Sequence, residues 1–264
     1  MPMREHDPLL HPSAVIDPGA RIAVDVAVGP YSVIGAGVEI EAGCRIGPHV
    51  VIRGNTRIGP DNRIFPFATL GEEPQDKKYG GEPTRLEIGR GNTIREHVTI
   101  NRGTEQDAGV TRVGDDNWIM AGVHIAHDCV VGNGTIMANN TTLAGHVHIG
   151  DHAVLGGATL IHQFCRVGCY AFTAYGARIN KDVPPFVRVS EGRGRPRGLN
   201  SEGLRRHGFS DRRIARLKDA YRLLYRCGLP LETALARMGE LDDPDGDIAR
   251  LCRFIAACRR SIVR

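Results

Sequence analysis

Long hydrophobic runs are missing. Nothing approaches the roughly 18 consecutive apolar residues of a spanning helix, so the sequence predicts no membrane span. The start, MPMREHDPLL, lacks the apolar segment of a secretory leader. Aromatics are scarce, at 5% of 264 residues with one tryptophan, so a core must be filled by Ile, Val, Leu and Ala. Paired cysteine spacing is missing too. The seven cysteines are an odd number, Cys165 and Cys169 are not a C-x-x-C pair, and no zinc-knuckle spacing occurs. They read as reduced thiols in a cytoplasmic protein.

What is abundant is glycine, at 33 residues, and a repeat. From Ile16 to Leu70 every sixth residue is aliphatic, and glycine often follows, as at Gly29, Gly35, Gly47, Gly59 and Gly71. The residue two before each is often small or Val. The phase resumes at Ile88, Ile94 and Ile100, slips by one across NRGTEQDAGVTR, and runs from Val113 to Ile179, with Thr173 its one polar member. A period of six fits neither a helix nor a sandwich strand. It fits a short strand plus a turn, three to a coil, with coils stacked about 4.8 Å apart. Residues eighteen apart then lie above one another.

These hexads resemble those of the hexapeptide-repeat acyltransferases. The resemblance implies a mainly β protein, a left-handed parallel β-helix assembled as a homotrimer. Handedness is not in the period, since parallel crossovers are otherwise right-handed. The solenoid is expected over 1–187, interrupted by a loop at 72–87 and an insertion near 101–112. A C-terminal α-helical domain is expected over 188–264. There DVPPF breaks the pattern, and Ile214, Leu217, Tyr221 and Leu224 take helical spacing between Ser210 as N-cap and Gly228 as C-cap. Ile248, Leu251, Ile255, Cys258 and Ile262 form a second apolar face. Residues 193–264 carry 17 Lys/Arg against 9 Asp/Glu, while the rest carries 17 against 21. A basic end suits an acidic partner. No nucleic-acid motif or aromatic platform accompanies it, so nucleic acid is not expected.

The stretch VHIAHDCVVG raises the functional question. Val123 and Ile125 share the inward phase, which puts His124, His127 and Asp128 on the outer surface or at the turn. His127 heads a column through Gly145 to Gln163, and Asp128 heads the next through His146 to Phe164, with His162 beside Gln163. Surface histidines are common on any solenoid, and His148 and His152 need no other reading. Convergence on one edge beside a bare glycine does. Cys129 falls in the inward phase, so a thiol nucleophile is not expected. A neutral histidine with a carboxylate neighbour suits general-base work, and a glycine amide suits a developing oxyanion. The set fits direct acyl transfer with no cofactor and no metal. The competing chemistry is a zinc site on stacked coils, as in the γ-class carbonic anhydrases, whose ligand spacing is not apparent here.

Longer stretches narrow the resemblance. GEEPQDKKYGGEPT, HIAHDC, NNTTLAGHV, HQFCRVG, DVPPF and GLNSEGLRRHGFS are similar to the UDP-N-acetylglucosamine acyltransferases of lipid A synthesis, over essentially the whole chain. That implies transfer of a 3-hydroxyacyl group from acyl carrier protein to the sugar 3-hydroxyl. By matching motif, His127 is the general base, Asp128 its partner and Gly145 the oxyanion donor. His124, His146, His162 and Gln163 line the pocket, and Asp76 and Lys78 contact substrate. Asn200, Glu202 and Arg206 form the uridine-nucleotide site, which lies between subunits.

Two departures stand out. His207 follows Arg206 where the family often has a second arginine, which implies weaker or pH-dependent phosphate binding. Tyr175 stands where glycine is frequent at the far end of the acyl groove. It implies a donor of about ten to twelve carbons, at about 0.8 kcal/mol per buried methylene. A non-catalytic β-helical scaffold and an acetyl-coenzyme A transferase are the other readings. His127→Ala separates the first from the enzyme, and a comparison of acyl donors separates the second.

Overall fold

A computed structural model describes residues 9–264; the opening MPMREHDP, read above for a leader, lies outside them. The hexads form two-residue strands that wind round a three-sided prism. The first sheet has nine strands, from Val15–Ile16 to Arg178–Ile179. The second has eight, from Arg21–Ile22 to Arg166–Val167, and the third has ten, from Ala27–Val28 to Pro196–Leu199. Pairing is parallel except for the last pair in the third sheet. Away from the excursions the register is the eighteen-residue step, as in His124↔Thr142 and Thr142↔Leu160, shortening to sixteen at Phe172↔Arg188.

The inward phase fills the prism. Ile34, Ile52, Ile58, Leu70, Ile94, Ile125 and Leu143 are at most 1% exposed, each contributing roughly 1.5–3 kcal/mol by burial. Thr173 belongs among them at 0% because its hydroxyl pairs with that of Thr159 at 2.8 Å. The small position two residues earlier is also internal, and here the chain departs from Val and Cys. Asn62, Asn92 and Asn117 form a buried ladder, Asn62 Oδ1 accepting from Asn92 N and Asn92 Oδ1 from Asn117 N, both at 2.9 Å. Backbone amides satisfy the side-chain oxygens, while Asn92 Nδ2 is buried without a partner.

Both interruptions leave the prism at one place. Strand Thr69–Glu72 ends in the first sheet and Arg85–Ile88 begins in the second, so the first excursion is 73–84, shorter than the expected 72–87. Strands Thr99–Asn101 and Val110–Val113 likewise trim the second to 102–109. Arg102 ties the two together, donating to Gly71 O at 2.9 Å and to Tyr79 OH at 2.8 Å.

DVPPF does not end the solenoid. Strand Val187–Val189 pairs in parallel with Phe172–Thr173 and straddles the expected 187/188 boundary. Four helices follow: α1 (Ser201–Arg206), α2 (Asp211–Tyr225), α3 (Leu231–Gly239) and α4 (Asp247–Ala256). Ser210 caps α2 by accepting from Arg213 N. Its C-cap is Arg226 rather than Gly228, which sits two residues on with φ 64°. Cys258 and Ile262 lie past the end of α4, although Ile262 stays buried through a bridge to Asp182. Neither α1 nor α3 was expected from the spacing, since both are short.

Candidate active site

The turns from the first sheet to the second form the edge that carries the histidines. Asp128, His146 and Phe164 hold one corner position on successive coils, with φ of 58°, 61° and 64°. The rings of His146 and Phe164 stack with centroids 4.4 Å apart, and His127 meets His146 edge-on at 5.1 Å. One residue earlier stand His127, Gly145 and Gln163. The His127 ring lies over Gly145: a Cβ there would be 2.6 Å from the ring Cε1 and 2.7 Å from Nε2. Glycine is required by space at this position, not by backbone angle.

Asp128 sits at the turn, but it is not a surface residue. Its side chain is 1% exposed, because the 102–109 excursion folds across it. Its carboxylate accepts from Thr104 N at 2.9 Å and Thr104 Oγ1 at 2.6 Å, and it faces His127 Nδ1 at 2.8 Å. Burial alone would raise its pKa; the hydrogen bonds from His127 and Thr104 outweigh that and hold it below the ordinary 3.8. An ionised carboxylate only accepts. The proton therefore sits on His127 Nδ1, and the Nε2 lone pair is directed over Gly145. His146 pairs with Asp107 at 2.9 Å and His124 with Thr99 at 2.7 Å. Burial, then the neighbouring His127, lowers the His124 pKa, so that ring is neutral near pH 7. Cys129 is 0% exposed, and burial pushes its thiol up to about 12, which removes it as a nucleophile.

Comparison with known proteins agrees with this architecture. The family model described as bacterial transferase hexapeptide (six repeats) matches residues 19–54 and 111–145. The model described as Udp N-acetylglucosamine O-acyltransferase, Domain 2, matches 182–263. Acyl-(acyl-carrier-protein)–UDP-N-acetylglucosamine O-acyltransferase of Verminephrobacter eiseniae is 58% identical, covering 97% of this chain and 99% of that protein. The chain belongs to this O-acyltransferase family. LpxA of Acinetobacter baumannii superimposes with TM-score 0.94 at 46% identity, covering 97% of this chain and 100% of the other. The Francisella novicida enzyme does so at 0.94 and 41%, covering 97% and 94%. As in these relatives, the solenoid of this acyltransferase is a left-handed parallel β-helix.

In this O-acyltransferase the expected site residues fall in three places. His127, His146, Gln163, Asp76 and Lys78 line one cleft of about 1370 Å³ at the first edge. Asp76 is half-buried, its Oδ1 accepting from Lys78 N at 3.0 Å. His124 and His162 flank that cleft without lining it. Asn200 and Glu202 line a separate depression of about 480 Å³ with Arg188, Arg197, Arg205 and Lys218, none of which the sequence reading named. Asn200 is also the N-cap of α1, accepting from Gly203 N at 3.2 Å and donating to Tyr170 O at 3.0 Å. Arg206 pairs with Glu202 at 3.5 Å on the outer face of α1. His207 turns back against the solenoid, its ring 4.5 Å from that of His152. Tyr175, 75% exposed, stands on the edge between the third and first sheets.

Thr99, Thr104, Asp107 and Thr111, whose Oγ1 accepts from Asp128 N at 2.8 Å, were also missed. For the last three the only trace in the sequence is the break in phase, which carries no address for the residues it brings in. Among the described residues, the donor atoms of His127, Asp128 and His146 lie within 4.8 Å of one another, the set a divalent ion would use. Such an ion would have to displace the His127–Asp128 hydrogen bond.

Proposed function

We propose that this chain transfers a 3-hydroxyacyl group from acyl carrier protein to the 3-hydroxyl of UDP-N-acetylglucosamine, the first step of lipid A biosynthesis. The observation that carries the reading is His127, fixed by a buried ionised Asp128 and poised over Gly145. His127 Nε2 takes the proton of the sugar 3-hydroxyl, and the oxygen attacks the thioester carbonyl carbon. The oxyanion that forms is met by the Gly145 N–H, which makes no other hydrogen bond among the described residues. Collapse breaks the carbon–sulfur bond, and the imidazolium returns the proton to the leaving thiolate. Asp128 positions the ring and stabilises its protonated form. His124, His146, His162, Gln163, Asp76 and Lys78 shape the sugar and acyl pocket.

Asn200, Glu202 and Arg206 serve the nucleotide, and Tyr175 closes the acyl groove. Their separation from His127 within one chain supports sites shared between the subunits of a homotrimer. So do Trp118 and Ile136, paired in register on the outer third sheet and 43% and 39% exposed. In this reading the solenoid supplies the chemistry and the helical part the nucleotide site. Seven free thiols fit a cytoplasmic enzyme. Purified protein is assayed with labelled UDP-N-acetylglucosamine and either 3-hydroxyacyl carrier protein or acetyl-coenzyme A. Transfer from the carrier protein is expected; transfer from acetyl-coenzyme A alone would overturn the reading.

A further inference from the structure

Beyond the histidine cleft, the second sheet and α4 enclose a smaller cavity of about 390 Å³. Arg166, Arg250 and Arg253 line it, and no carboxylate does. It lies beside the histidine cleft, His148 and Arg166 lining both. The histidine cleft is also lined by Arg259 and Arg260. No guanidinium of these five arginines has a carboxylate oxygen within 4.0 Å among the described residues, the buried Asp182 in the histidine cleft accepting instead from the Arg166 backbone N at 2.8 Å, whereas Arg205, Arg213 and Arg216 of the same helical part are all paired. The shared arginine is held in place: Arg166 donates to Ala257 O at 3.3 Å, and its guanidinium lies 4.7 Å from the Phe254 ring centroid. A fixed guanidinium with unpaired neighbours is a receptor for a phosphate group.

Two phosphorylated ligands meet on this enzyme, a nucleotide diphosphate and the phosphodiester of the carrier's pantetheine arm. Asn200 and Glu202 line a different depression, so the track is left for the donor. Its position suits that role. Strand Val130–Val131 follows the His127 turn, and Arg166–Val167 lies two strands further along the second sheet. That is about 10 Å along the axis at the usual strand spacing, well inside the span of an extended pantetheine chain. We infer that Arg166, Arg250 and Arg253 bind the phosphodiester of the acyl donor's arm and align its thioester with His127. Arg259 and Arg260 extend the same basic surface toward the acidic carrier protein.

This inference rests on the acyltransferase reading, and the test separates the two. Arg253→Ala and Arg250→Ala are assayed beside the unmodified protein with 3-hydroxyacyl carrier protein and with the phosphate-free 3-hydroxyacyl-pantetheine. Both side chains are exposed, so folding is not at stake, and thermal melting checks it. Each substitution should lower the ratio of kcat/KM for carrier-bound over phosphate-free donor about tenfold, the scale of one charge-assisted contact. The double variant should lower it further, and Arg253→Lys should restore part of it. KM for UDP-N-acetylglucosamine should not follow. An unchanged donor ratio, or a rise confined to the nucleotide KM, overturns the inference while leaving the activity standing. Absence of transfer by the unmodified protein overturns the activity itself.

Discussion

His127 Nδ1 and Asp128 Oδ2 are 2.8 Å apart, and the carboxylate side of that pair is 1% exposed. The two residues are adjacent in the chain yet differ sharply in surroundings. The positive φ of Asp128 turns its carboxylate under the 102–109 excursion while the imidazole stays over Gly145. That contrast makes one ring nitrogen a donor and leaves the other free as a base.

Removing the base should be severe. His127→Ala should lower kcat by about 10²–10⁴, the usual contribution of a positioned general base, with circular dichroism and oligomeric state unchanged. Retention of more than a tenth of the parent rate would exclude His127 from that role.

Gly145→Ala places a methyl 2.6–2.7 Å from the His127 ring and must displace it. Loss of alignment lowers kcat by at least about tenfold. Melting should change little, because the ring can swing outward. A fully active alanine variant would show that the close approach is not needed.

Thr104→Val removes the 2.6 Å hydrogen bond to the buried carboxylate. A bond to a charged group is worth about 1.5–3 kcal/mol. Thr104→Val should therefore melt lower and turn over more slowly, and Thr104→Ser should recover both. Equal loss in the serine variant would point to the methyl group instead.

Asp128 ties stability to pH. Its folded pKa is below the unfolded value near 3.8, so its contribution is complete above that pH and fades as pH falls through the folded value. The stability gap between the parent and Asp128→Asn should hold from pH 7 to about 5 and narrow below about 3.8. Denaturant titrations across that range read it. A gap of constant size at pH 3 contradicts the assignment.

Tyr175→Gly should open the groove. The parent should prefer donors of about ten to twelve carbons and the variant longer ones, at about 0.8 kcal/mol, or fourfold, per added methylene. Competition between donors measures it. A parent that favours fourteen carbons rules out Tyr175 as the stop.

The sequence by itself determined the prism. A hexad of aliphatic residues has one way to bury itself, so the inward phase, the columns eighteen apart and the bare Gly145 under His127 could all be read in one dimension. Only the tertiary structure decided the state of the site. Asp128 is buried because Thr104, 24 residues earlier, reaches it from an excursion the repeat does not encode. Arg166 and Arg253 share a cavity because α4 packs back onto the second sheet. Periodicity fixes which residues stack in a repeating lattice. Burial, ionisation and tautomer depend on whatever lies across from them, and those contacts come from segments outside the period.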